Sequence, residues 1–76
     1  MNRSIDIALE WLMAELKNPY IVKEDNFLDI GGDSLLSMEF AVFLLARAGI
    51  ELDQAALFQM SIGDALDVSS ERDGSV

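Results

Sequence analysis

Few side chains in this sequence could do chemistry, and the most telling ones stand together. The 76 residues contain no histidine and no cysteine. The commonest general base, the commonest metal ligand and the thiol nucleophile are therefore all missing. What remains to consider is the segment Gly31-Gly32-Asp33-Ser34-Leu35. Two glycines give the backbone freedom for a tight turn. Asp33 is a good helix N-cap, which puts Ser34 in the first helical turn. A hydroxyl there is exposed and close to unpaired N–H groups. Those groups and the helix dipole favour an attached anion by about 0.3–1 kcal/mol, so they assist without deciding. The placement suits a serine that becomes a phosphodiester. Taken alone, it suits a plain helix-start serine at least as well.

Two other chemistries fail on residue type. Gly32-Asp33-Ser34-Leu35 reproduces the nucleophile string of one esterase family, but that reaction needs a histidine base. Leu36 also occupies the position where a nucleophile elbow requires its second glycine. Asp25, Asp29 and Asp33 invite comparison with a calcium loop. Counted from Asp25, such a loop has Phe27 at the third ligand position and Ile30 where glycine is required; counted from Asp29, it has Gly31 and Ser34 at those places. The acidic loop reads instead as a solvated face, or as an attraction for basic partners. No metal and no catalytic residue is expected.

Charge narrows the partners. Fourteen acidic and five basic residues give a net charge of -9. Such a chain is repelled by nucleic acid and by anionic membranes and attracted to basic protein patches. The longest apolar run, Phe40 to Ala46, is far too short for a membrane span, and no signal-peptide pattern opens the chain. A cytoplasmic monomer is the expectation. Met1 and a polar tail are what a free-standing small protein would show, and equally what a domain cut from a longer chain with an added start codon would show.

The elements that must position Ser34 follow from periodicity and caps. Ile5, Ala8, Leu9, Leu12 and Leu16 form one stripe at helical spacing. Ser4 is its expected cap, and Asn18-Pro19 stops it. Residues 20–33 have neither a helical nor a strand period, so Phe27 and Ile30 are the expected anchors of a long loop. A second helix runs from Asp33 or Ser34 to about Ala48, with Gly49 as its C′ glycine. Asp53 caps a short third helix ending at Leu57 or Phe58. Ser61 caps a fourth, with Ile62, Ala65 and Leu66 inward. Gly63 is expected to weaken that helix by about 1 kcal/mol. No strand-pairing signal is visible, and Ser69 to Val76 reads as a frayed tail. The fold expected is all-α, a four-helix bundle with a short third helix and a long first loop. Its single domain spans 1–70, with a disordered tail at 71–76.

This pattern resembles the phosphopantetheine site of acyl and peptidyl carrier proteins. The family's aromatic-x-x-aliphatic-Gly-Gly-x-Ser-Leu motif is met by Phe27, Ile30, Gly31, Gly32, Ser34 and Leu35. Ile50-Glu51-Leu52, Leu57-Phe58 and Ser61-Ile62 with Ala65-Leu66 look like its later segments, so the likeness covers about residues 5 to 68. Gln59-Met60 stands where the family usually has a nearby proline. The double glycine is more similar to peptidyl carriers than to fatty-acid carriers. The resemblance implies that a phosphopantetheinyl transferase joins the arm from coenzyme A to the Ser34 hydroxyl. It also implies that the arm's thiol carries acyl or aminoacyl groups as thioesters between an adenylating or acylating enzyme and downstream synthase enzymes. The chain itself catalyses nothing under this reading. An unmodified helical interaction module is the alternative.

The second helix is too apolar for a single core-facing stripe. Phe40, Phe43, Leu44 and Ala48 make one plausible inward face. Leu35, Met38, Val42 and Leu45 recur on another, which is expected to meet partner enzymes, with Asp33 at its edge. The competing expectation is that these residues pack beneath the first loop.

Overall fold

The computed structural model describes residues 3–71. Among them stand α1 (Arg3–Leu16), α2 (Ser34–Ala48), β1 (Ile50–Glu51), α3 (Gln54–Gln59), α4 (Ile62–Val68) and β2 (Ser70–Glu71). The all-α, four-helix expectation holds, and each helix after the first begins at the cap foreseen for it. Asp33 accepts from the Leu36 N–H, Asp53 from Ala56 and Ser61 from Asp64. α2 ends on Gly49 in the left-handed region, at φ 68°. Arg3 and Ser4 are already helical, so Ser4 lies inside α1 rather than capping it. Its other end is closed by Lys17 at φ 53°, with the Asn18 N–H reaching back to the Met13 carbonyl at 3.0 Å. This is the wrapped helix end usually given to glycine.

The core is built from the stripes read in the sequence. Ala8 and Leu12 of α1, Phe40 and Leu44 of α2, Leu57 of α3 and Ile62, Ala65 and Leu66 of α4 are buried. Trp11, half-buried, stacks on Phe40 and Phe43 at centroid distances of 5.4 and 5.2 Å. Phe27 is fully buried and lies between Phe40 at 6.1 Å and Phe58 at 5.8 Å. The loop is therefore anchored where expected, although Ile30 is only half-buried and the second deep anchor is Ile21.

What holds the first loop in place is a backbone seam along the start of α4. The Ile62 N–H donates to the Asp25 carbonyl and the Gly63 N–H to the Lys23 carbonyl, both at 2.9 Å. Asn26 forms an antiparallel bridge with Ser61, and its amide donates to the Met60 carbonyl at 3.3 Å. Gly63 belongs to this seam. A Cβ there would lie 3.2 Å from the Lys23 Cβ and 3.3 Å from its carbonyl oxygen. The glycine that weakens α4 as a helix is thus the residue that lets the loop reach it.

The reading of the tail is corrected. The tail is not frayed from Ser69 onward: Ser70 and Glu71 pair with Glu51 and Ile50 in a two-residue antiparallel ladder. The Ser69 hydroxyl also accepts from the Asp53 N–H at 2.9 Å and donates to the Ala65 carbonyl at 2.8 Å. The ladder crosses the expected 70/71 boundary; residues 72–76 of the expected tail lie outside the described residues. Strand pairing this short leaves no periodic signal in sequence.

Candidate functional site

The approach to Ser34 is a turn with two glycines that do different jobs. Gly31 sits at φ +101°, a conformation that L side chains rarely adopt. Gly32 is needed for space. A Cβ built on it would fall 2.4 to 2.6 Å from three carbons of the buried Phe27 ring. The Gly32 N–H donates to the Phe27 carbonyl at 2.9 Å, which closes the turn over the same residue. Phe27 therefore links the hydrophobic core to the start of α2. Spacing alone marked the glycines and the aromatic residue, but the reason for each is tertiary.

Ser34 is the first residue of α2 and is exposed. Behind it, the Asp33 carboxylate accepts from the Leu36 N–H at 2.9 Å, and the Asp33 carbonyl accepts from the Ser37 N–H at 2.9 Å. The N–H groups of Ser34 and Leu35 are left as the open donors of the first turn. They lie at the N-terminal end of a 15-residue helix, where the aligned peptide dipoles concentrate positive potential. Ser37, a residue not singled out in this role from sequence, donates its buried hydroxyl to the Ser34 carbonyl at 2.7 Å. The first turn of α2 is thus pinned from both sides of its first residue.

Three other serine hydroxyls are committed elsewhere. Ser37 is buried in the bond just given, Ser61 caps α4, and Ser69 bridges to Asp53 and Ala65. The acidic loop residues are likewise structural: Asp25 accepts from the Val22 N–H at 3.0 Å, and Asp33 caps α2. Among the described residues, no three or more acidic side chains are gathered to hold a metal ion, and no helix is long and apolar enough to cross a membrane.

The α2 face beside Ser34 is apolar and open. Leu35, Met38, Val42 and Leu45 are 66%, 58%, 69% and 45% exposed. They do not pack beneath the first loop, while Phe40 and Leu44 on the inward face are fully buried. Asp33 stands exposed at the N-terminal edge of this strip. The only charged side chains on α2 are Glu39 and Arg47, both exposed, and Arg47 lies 6.0 Å from the Phe43 ring centre. A surface of this kind favours apolar contact over charge pairing.

Comparison with known proteins gives one match. The family model described as the phosphopantetheine attachment site matches residues 5–68, most of the chain. No curated protein and no solved structure matches.

Proposed function

This chain belongs to the phosphopantetheine-attachment family of carrier proteins, and we propose that Ser34 is the residue to which its arm is joined. Members of the family carry a covalent 4′-phosphopantetheine, are not enzymes, and work with a phosphopantetheinyl transferase and with synthase enzymes. The observation that supports Ser34 most directly is its exposed hydroxyl at the head of α2, behind a turn held by Gly31, Gly32 and Phe27. Two open N–H donors beside it favour the negative charge of a phosphodiester. The Ser34 oxygen forms the bond to the phosphorus of coenzyme A that bears the pantetheine, the pyrophosphate P–O bond breaks, and adenosine 3′,5′-bisphosphate leaves. The hydroxyl proton passes to a base supplied by the transferase, because this chain has no histidine.

The finer reading follows from the same surface. The arm supplies the protein's only thiol, since the sequence has no cysteine. Its cargo is an acyl or aminoacyl group held as a thioester in nonribosomal peptide, polyketide or related synthesis. The Gly31-Gly32 pair and the apolar α2 favour the peptidyl type. Partner enzymes dock on Leu35, Met38 and Val42, with Asp33 at the margin.

The test is conversion of the whole chain with coenzyme A and a broad-specificity phosphopantetheinyl transferase, read by intact mass and thiol titration. Wild type should gain one phosphopantetheine and go from zero thiols to one. Ser34→Ala should gain neither. Full conversion of Ser34→Ala would overturn the assignment, and no conversion of wild type would favour an unmodified interaction module.

A further inference from the structure

A second recess is built from other parts of the chain. It is an open groove of about 690 Å³ between the first half of α1, the 23–24 turn and α4. None of its lining residues belongs to α2 or to the Gly31–Leu35 segment. Ile5 and Leu9, half-buried, supply aliphatic surface. Asp6, Glu24, Asp64 and Asp67 bring exposed carboxylates, against the single ammonium of Lys23. That ammonium is paired with Glu24 at 3.0 Å. Its pKa is raised, first by the hydrogen bond to Glu24 and then by the charge of Glu24, with Asp64 and Asp67 adding to the effect. The chain's own cation thus already senses a negative field from both the loop and α4. Gly63 shapes the same recess, because any larger residue would press on Lys23.

We propose that this groove docks a partner-protein segment that presents an aliphatic side chain flanked by lysine or arginine. The aliphatic group would rest on Ile5 and Leu9, and the cations would lie among Asp6, Asp64 and Asp67. The charge balance excludes nucleic acid and anionic lipid as occupants. A bare metal ion is a poor match, because the carboxylates are spread around the recess rather than gathered. Spread anionic groups around an aliphatic floor fit several cations carried on one peptide. The groove shares no residue with the apolar strip of α2, so the proposal does not depend on where the arm is joined.

Titration of the ¹⁵N-labelled full chain tests it. The probe is an acetylated fourteen-residue leucine–lysine amphipathic helix, with a leucine–glutamate helix of the same pattern as control. The cationic peptide should shift the amides of Leu9, Gly63, Asp64 and Asp67 saturably, and the anionic one should not. Asp64→Asn and Asp67→Asn should each weaken binding roughly two- to fivefold, as for single exposed charge pairs. Lys23→Gln should strengthen it by a similar factor. Glu15→Gln removes the same charge outside the groove and should change little. The proposal is overturned if the peptide does not bind, if its shifts fall on the α2 strip, or if Glu15→Gln weakens it as much as Asp64→Asn. It is also overturned if magnesium chloride alone saturates the same amides at micromolar concentration, which would make the recess a cation site.

Discussion

Replacing Gly32 with alanine adds one methyl group at the most crowded point of the turn before Ser34. That methyl would stand 2.4 to 2.6 Å from three Phe27 ring carbons, where ordinary contact needs more than 3.4 Å. The ring cannot swing aside freely, because it is fully buried between Phe40 and Phe58. Overpacking of this kind costs about 1–3 kcal/mol. A 76-residue domain has a total stability of roughly 4–11 kcal/mol. At about 4–8 °C per kcal/mol for a domain this small, Gly32→Ala should lower the thermal midpoint by about 4–24 °C, read by circular dichroism. A second variant isolates the cause. Phe27→Leu costs stability by itself, but it removes the ring edge that the new methyl strikes. In the Phe27→Leu background the added cost of Gly32→Ala should shrink by about 0.5–3 kcal/mol, the range for residues in contact. Gly32→Ala also reports on function, because the Phe27–Gly32 contact lies immediately before the Asp33 cap of α2. Gly32→Ala should accept phosphopantetheine more slowly than wild type at a temperature where both are folded. A midpoint within a degree or two of wild type, or costs that simply add, would refute the account of Gly32 as a space requirement.

Three further outcomes are expected. Met38→Ala and Val42→Asp should keep the helical spectrum and midpoint but slow transfer by the cognate enzyme, with modest dependence on salt; unfolding of Val42→Asp would make the strip core, and abolition by high salt with both variants normal would make docking electrostatic. Asp33→Ala should lower stability by about 0.5–2 kcal/mol through loss of the bond to the Leu36 N–H, read by urea titration, while Asp33→Asn should recover most of it. Lys17→Gly should raise stability by about 1 kcal/mol, because Lys17 sits at φ 53°; a drop would mean that the Lys17 side chain itself is needed at the end of α1.

Much of this protein was written in short-range chemistry. The stripe on α1, the caps at Asp33, Asp53 and Ser61 and the stop at Gly49 each involve residues within a few positions of one another, so the chain order alone exposed them. Ser34 was legible for the same reason, since the turn and the helix start that frame it are contiguous. The outward face of α2 could also be inferred, because a helix apolar nearly all round cannot bury every side in so small a fold. Tertiary structure decided what depends on distant partners. Gly31 and Gly32 look alike in sequence, and only the position of the Phe27 ring separates a demand for φ from a demand for space. Ile21 is a deep anchor without belonging to any periodic stripe. Asn26 reaches Met60 across 34 residues, and Gly63 is small because Lys23 lies against it. The ladder between residues 50–51 and 70–71 is too short to carry a period, and the acidic groove collects side chains from three separate segments. In each case the controlling contact joins residues far apart in the chain, and no local spacing records which of them will meet.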